Sequence, residues 1–247
     1  LTSAENRGSQ HAVALDAAGN YVVVWTSKNQ DGNNDGVYAR RFDATGAPIS
    51  GEVLVNATTN DNQRSARVVS DSAGNFVVTW TSSNQDGTPN SVYARRFNAS
   101  GVALTAETRV NTTATGAQTD SMIAMSVTTG DYVIAWEGNG PGDSAGIFFR
   151  RFNANGTAKD ATDRLANLTN AGTETDPAVT MVADGSFVIV WQANNNVFFQ
   201  RFDAAGTALG GPVQGFLDRS DITGTPWLIF YSKGIECATR RATGGGR

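Results

Sequence analysis

Cysteine and histidine are almost missing from this 247-residue chain, with Cys237 and His11 the only examples. A single cysteine rules out an intramolecular disulfide, so stability has to come from packing or bound ions. A single histidine rules out multi-histidine zinc sites and argues against a Ser-His-Asp hydrolase. Lysine is scarce too: Lys28, Lys159 and Lys233 are the only ones among nineteen basic residues. Charged residues make up 17% of the chain and the net charge is −4, with no basic run of the kind nucleic-acid binding requires. No apolar stretch reaches the roughly 18–20 residues of a membrane-spanning helix, so no membrane insertion is expected. The chain opens at Leu1 without a signal-type segment, as expected of a mature or excised product. Little lysine beside abundant Ala, Gly, Thr and Asn suits an extracellular or cell-surface bacterial protein.

What is present is repetition. Trp25, Trp80, Trp136 and Trp191 close the phrases YVVVW (21–25), FVVTW (76–80), YVIAW (132–136) and FVIVW (187–191). A second phrase follows each one: VYARRFDATG (37–46), VYARRFNASG (92–101), IFFRRFNANG (147–156) and VFFQRFDAAG (197–206). A repeat of this length means one supersecondary unit copied along the chain. In the first copy, Ala12–Leu15, Tyr21–Trp25, Val37–Phe42 and Glu52–Asn56 read as strands. Their β-branched and aromatic residues favour a pleated surface, and Asp or Asn with Gly supplies the tight turns between them.

Four antiparallel strands per unit, repeated, predict an all-β chain built as a β-propeller of four ~55-residue blades. The blades fall at about 11–62, 63–118, 119–173 and 174–215, with 216–247 a divergent or foreign tail in which Trp227–Tyr231 could add one strand. Two assemblies are compatible with four units: a small closed ring, or half-rings that pair as a homodimer. The connection after each second strand (Ser27–Gly36 in the first unit) and the one leading into the next unit are long and polar. Antiparallel geometry puts both on one side of the disc, where binding residues tend to sit.

Residues common to every unit read as scaffold. Arg40–Arg41, Arg95–Arg96 and Arg150–Arg151 are strand neighbours pointing to opposite faces, which suggests pairing between blades with a repeated carboxylate such as Asp16 or Asp71. Sequons at Asn56, Asn98, Asn111, Asn155 and Asn167 are a natural product of Asn- and Thr-rich turns. Residues that break the repeat are better functional candidates. Glu137 stands where other units carry Thr26, Thr81 and Gln192, and Asp143 shares its loop. These two are the candidate catalytic residues, with Asp120, Asp176 and Glu174 nearby as further carboxylates for a cation or for acid–base work. The run Asp31-Gly-Asn33-Asn-Asp35-Gly36 matches the opening of a calcium loop, in which alternate oxygen side chains converge on a hard cation. Asp31, Asn33 and Asp35 are therefore candidate Ca²⁺ ligands, with Asp86 and Asn90 their weaker counterparts in the second unit.

The pattern YVVVWTSKNQDG…GVYARRFDATG…GEVLVN resembles a repeat of large secreted bacterial proteins that carry calcium-binding, adhesin-like modules. It is also broadly similar to calcium-loop propellers of the integrin-α type. That resemblance implies an extracellular, calcium-assisted module for adhesion or ligand binding, its partner a small molecule, a glycan or a cell-surface ligand. The alternative is a calcium-dependent propeller hydrolase acting on a lactone, an ester or a glycoside. A multivalent lectin is the third reading.

Overall fold

The computed structural model describes residues 11–167 and 172–215, and every element in them is a strand. The expected strand at Trp227–Tyr231, with the rest of the tail, lies outside the described residues. The first sheet comprises β1 (His11–Leu15), β2 (Tyr21–Lys28), β3 (Asp35–Phe42) and β4 (Val53–Leu54). The second comprises β5 (Gln63–Ser70), β6 (Phe76–Ser83), β7 (Asn90–Phe97) and β8 (Thr108–Arg109). The third has β9 (Gln118–Met125), β10 (Tyr132–Gly140), β11 (Asp143–Phe152) and β12 (Arg164–Leu165). The fourth has β13 (Glu174–Met181), β14 (Phe187–Ala193), β15 (Asn196–Phe202) and β16 (Val213–Gly215). Each sheet is an antiparallel meander in chain order, so the architecture is a propeller of four blades.

The turns form for the reason their sequences give. Asp16 Oδ1 accepts the backbone N–H of Ala18 at 2.8 Å and of Asn20 at 2.9 Å, and Asp71 repeats this with Ala73 and Asn75. Gly19 and Gly74 take positive φ at these corners, where a Cβ would be strained. One expectation is revised. The polar loop read as Ser27–Gly36 contracts to residues 29–34, because the β2–β3 ladder continues to the pair Lys28–Asp35. Thr26 and Ser27 are compatible with a strand, and pairing satisfies backbone groups that a loop would leave to water.

The sheets stack face to face in series. Val22, Val24 and Val37 pack with Ala66, Val68, Phe76 and Trp80 between the first two sheets. Val77, Val92 and Val110 pack with Ile134, Trp136 and Phe148 between the second and third. Val133, Ile147 and Phe149 pack with Phe187, Ile189 and Trp191 between the third and fourth. Trp80 and Trp136 are fully buried and Trp191 nearly so. Each is worth about 5 kcal/mol of transfer free energy at ~25 cal/mol/Å² over ~200 Å². The equivalent Trp25, with no earlier sheet among the described residues, is only half-buried. Every repeat tryptophan also stacks on its cross-strand aromatic, as Trp80 does on Tyr93 at 6.3 Å.

The paired arginines hold the stack, through partners other than those expected. The first of each pair reaches back: Arg95 Nη1 donates to the Val55 carbonyl at 2.9 Å, and Arg150 Nη1 to the Val110 carbonyl at 2.6 Å. A carboxylate seconds it. Glu107 accepts the Ala57 N–H at 2.7 Å, and Asp163 accepts those of Thr112 and Thr113 at 2.7 and 2.8 Å. The second arginine leans forward across the glycine turn of the next sheet, so that a Cβ on Gly156 would lie 2.9 Å from the Arg96 stem. The acceptors are backbone carbonyls because a stacked sheet presents those at fixed height in every copy, whereas Asp16 and Asp71 are spent on their own turns. In the fourth sheet Gln200 and Pro212 occupy the two backward-clamping positions, and the third sheet clamps forward instead. Arg151 Nη1 donates to the Ala204 carbonyl at 2.7 Å and Arg164 Nη2 to the Gly206 carbonyl at 2.6 Å.

A buried guanidinium bonded to a carbonyl stabilises by about 1.5–3 kcal/mol. Arg150→Ala should therefore lower the melting temperature by roughly 4–10 °C for a domain of this size. Arg201→Ala, at an exposed position, should leave it within about 1–2 °C. Thermal unfolding of the two variants checks this.

Candidate functional site

The first strand of the second, third and fourth blades is interrupted near its start. The β5–β6, β9–β10 and β13–β14 registers slip at Arg64/Arg67, Ala135/Glu137 and Thr175/Ala178. At these bulges Ser65, Asp120 and Asp176 hold positive φ of 58°, 50° and 52°. Such backbone is uncommon for residues other than glycine and tends to gather where a side chain is re-aimed for function. The three positions are equivalent in the repeat, and two of them carry aspartate.

Glu137, one residue past Trp136 on β10, sits at this bulge. Its Oε1 accepts the Thr119 hydroxyl at 3.2 Å and its Oε2 accepts the Asp176 backbone N–H at 3.2 Å. The Asp120 carboxyl lies within electrostatic reach of it. Burial first, and then the charge of Asp120, push the Glu137 carboxyl above the ordinary glutamate value, against the N–H of Asp176 and the hydroxyl of Thr119. Arg67, on β5 of the neighbouring sheet, donates its Nε to the Met122 sulfur at 3.3 Å and is drawn electrostatically to Asp120. The group therefore combines a carboxyl raised by its surroundings, a neighbouring aspartate and a half-buried cation.

The structure separates the two residues expected to act together. Asp143 opens β11, opposite Gly140, accepting the Ala145 N–H at 3.0 Å and the Asn167 side-chain amide at 2.8 Å. Its carboxylate neighbour is Glu174, raised by burial and then by the Asp143 charge, with one oxygen buried and unpartnered. Asp143 is thus the third copy of a loop aspartate whose other copies are Asp31 and Asp86. The Asp86 carboxylate is engaged by Arg109 at 2.8 Å, Ser91 at 2.7 Å and Thr88 at 2.6 Å. These contacts overcome its burial and hold it well below the usual carboxylate range. Asn90 Oδ1 takes the Ser83 hydroxyl at 2.9 Å. In the first copy Asp31 Oδ1 accepts the Asn33 N–H at 3.1 Å, while Oδ2 is buried without a partner beneath Gly36. Asp35 lies opposite Lys28 at the end of the ladder. Among the described residues no group of three or more His, Cys, Asp or Glu is set to hold a metal ion.

Three sequons are scaffold. Asn56, Asn111 and Asn167 are each 1% exposed, and their Oδ1 atoms accept the backbone N–H of Val37, Val92 and Ile147 at 2.8–2.9 Å. Thr119 and Arg67 were not expected at the site. Arg67 occupies the repeat position of Ala12, Met122 and Ala178, so the test that singled out Glu137, departure from the repeat, also marks it.

No protein-family model matches the chain, and no curated protein is similar to it in sequence. By structure it is similar to the endo-arabinase from Bacteroides thetaiotaomicron, at 13% identity over 90% of this chain and 79% of that one, with a TM-score of 0.51. It is similar as well to an α-L-arabinofuranosidase from Fusarium graminearum, at 9% identity over 94% and 74%, with a TM-score of 0.59. An α-L-arabinanase from Penicillium chrysogenum aligns at 12% identity over 83% and 64%, with a TM-score of 0.56. Likeness at such identity is a likeness of fold.

The upward shift of Glu137 makes a signed prediction. A carboxyl raised by folding binds its proton more tightly in the native state, so its contribution to stability falls as pH rises from the ordinary glutamate value through the raised one. Glu174, shifted the same way, adds to the slope. Glu137→Gln should flatten the loss of melting temperature as pH rises above the ordinary glutamate value; an unchanged slope would mean that Glu137 is not raised.

Proposed function

We propose that this propeller is a glycan-directed hydrolase in which Glu137 handles the proton. The observation that carries the reading is the half-buried Glu137 carboxyl, hydrogen-bonded to the Thr119 hydroxyl and the Asp176 backbone and pushed upward by burial and by Asp120. Cleaving a glycosidic bond calls for a protonated carboxyl on the leaving oxygen and a second carboxylate across the bond, at least about 5 Å away. Asp120, whose charge raises the Glu137 carboxyl, acts as the group that keeps Glu137 protonated. Asp176 is then the carboxylate across the bond, held by its strained bulge, and Arg67 offsets the negative charge of the site. The arabinanase and arabinofuranosidase activities of the similar structures support arabinose-containing glycans as the first substrates to try.

The test is a panel of arabinans, aryl arabinofuranosides and other aryl glycosides. Turnover should fall about 10²–10⁴-fold in Glu137→Gln, the span of a lost general acid. Asp176→Asn should fall comparably. Glycan binding without turnover in the unaltered protein would reduce the site to a binding module, and turnover indifferent to both variants would move the chemistry elsewhere.

We also propose that the first loop takes Ca²⁺, a role apart from the proton chemistry. Asp31 Oδ2, buried and without a partner where Asp86 and Asp143 are satisfied, supports this. Asp31, Asn33 and Asp35 would hold the ion together with backbone carbonyls or water, as a hard cation with oxygen ligands requires. Excess Ca²⁺ at a hundred times Kd should add about 2.7 kcal/mol to stability. The gain in melting temperature should vanish with a chelator and in Asp31→Asn; no shift would overturn the assignment.

A further inference from the structure

We propose that the groove between the second and third sheets, at the end opposite Glu137, is a binding site for a small polyhydroxy carboxylate of the hexuronate class. Tyr132, at the groove end of β10, and Glu137 are five residues apart, about 17 Å at a rise of ~3.4 Å per residue, so this is a separate place on the molecule. The repeat supplies its own control. Between the first and second sheets the equivalent groove has only about 10 Å³ of free space, whereas between the second and third it holds about 250 Å³.

The difference follows from one residue. The turns Asp16–Asn20, Asp71–Asn75 and Val182–Ser186 close over the same number of residues, with the N–H of the first bonded to the carbonyl of the last. The β9–β10 turn runs from Ser126 to Asp131, one residue longer. Between the first two sheets adjacent turns touch, with the Ala17 N–H 3.4 Å from the Ser72 carbonyl and Gly74 lying against Asp16. The longer third turn makes no such bridge to the second, and its exposed Thr128 and Thr129 line the open groove instead.

The chemistry of the lining selects the ligand. The Arg96 stem is fixed over Gly156, while its guanidinium has no hydrogen bond or ion pair among the described residues. Its counterpart Arg151 is fully employed by Asp160 and the Ala204 carbonyl. The residue that would neutralise Arg96 in the same way is Thr105, whose hydroxyl only accepts the Arg96 backbone N–H at 3.1 Å. A half-buried, preorganised, unpaired guanidinium is a fork for a carboxylate. Around it Asp71, Asn75, Thr128 and Thr129 offer acceptors and donors for hydroxyl groups, and Met125 offers an apolar surface for a ring face. Asp71 spends three contacts on its own turn and keeps lone-pair capacity for a ligand hydroxyl. The space is below the ~300–1,000 Å³ of pockets for drug-sized ligands, which limits the occupant to about one sugar ring.

Titration of the isotope-labelled protein with galacturonate and glucuronate, followed by amide NMR shifts, tests the assignment. Resonances of Asp71–Val77, Arg96 and Val127–Gly130 should move saturably with uronate and at least tenfold more weakly with galactose or the uronate methyl ester. Arg96→Gln, which keeps the stem over Gly156, should lower affinity at least tenfold, and Arg96→Lys should lower it less. Deletion of Thr129, which restores the shorter turn, should abolish binding without altering the fold seen by NMR, and Arg41→Gln should have no effect. Equal response to charged and uncharged sugars, binding unaffected by Arg96→Gln, or no saturable shift with any uronate would overturn the proposal. A trigalacturonate that binds more tightly than the monomer would place the uronate at a chain end; equal affinity would assign the site to the free sugar acid.

Discussion

Each sheet of this chain is apolar on both faces, and everything else in the structure answers to that constraint. A strand phrase such as Phe76–Trp80 cannot leave either side in water, so a single blade has no stable existence and the copies must stack. Stacking by apolar contact alone would let sheets slide, since the hydrophobic effect has no direction. The arginines and acids add the missing direction. Arg95 with Glu107, and Arg150 with Asp163, grip the backbone of the preceding sheet at defined atoms. The last interface reverses the device, gripping forward through Arg151 and Arg164.

A stack fixed this tightly leaves variation only at the ends of the strands, and the chemistry gathers there. At one end the bulges at Asp120 and Asp176 turn the backbone out of the ladder and set Glu137 against the Asp176 N–H and near Asp120. The burial of Glu137 and its repulsion by Asp120 would unsettle a looser framework. Here the surrounding pairs of β9, β10, β13 and β14 hold the strain. At the other end a single extra residue in one turn opens a groove that its sister interface closes. Both features depend on the same rigidity, because a one-residue change is absorbed by flexible loops and expressed by stiff ones.

The repeat made most of the fold legible. Strand order, tight turns and the burial of Trp80, Trp136 and Trp191 all follow from β-branched phrases closed by Asp or Asn with Gly. Loop length was read less well, since Ser27 and Lys28 are polar and their ladder with Asp35 and Gly36 depends on a partner strand rather than on their own preference. Glu137 could be singled out because it departs from three matching positions. Its partnership with Asp120 and Asp176 was legible as proximity in the repeat, whereas the separation from Asp143 was not. That depends on a bulge and a shortened turn, and backbone slips of one residue leave little trace in composition. The arginine pairs showed the right role with the wrong partner, for a sequence displays carboxylates and hides carbonyls.

The buried asparagines carry a practical consequence. Asn56, Asn111 and Asn167 each lie two residues past a blade's last strand and cap the strand beside it from a place that water scarcely reaches. All three also sit in acceptor sequences for N-linked oligosaccharide. A host that glycosylates chains as they emerge would attach bulky, hydrated trees to the atoms the sheets must enclose. The blades could not then close on one another. The same gene would yield a stacked protein from a bacterial cytoplasm or periplasm and an unassembled one from a eukaryotic secretory pathway, with no change in its amino-acid sequence.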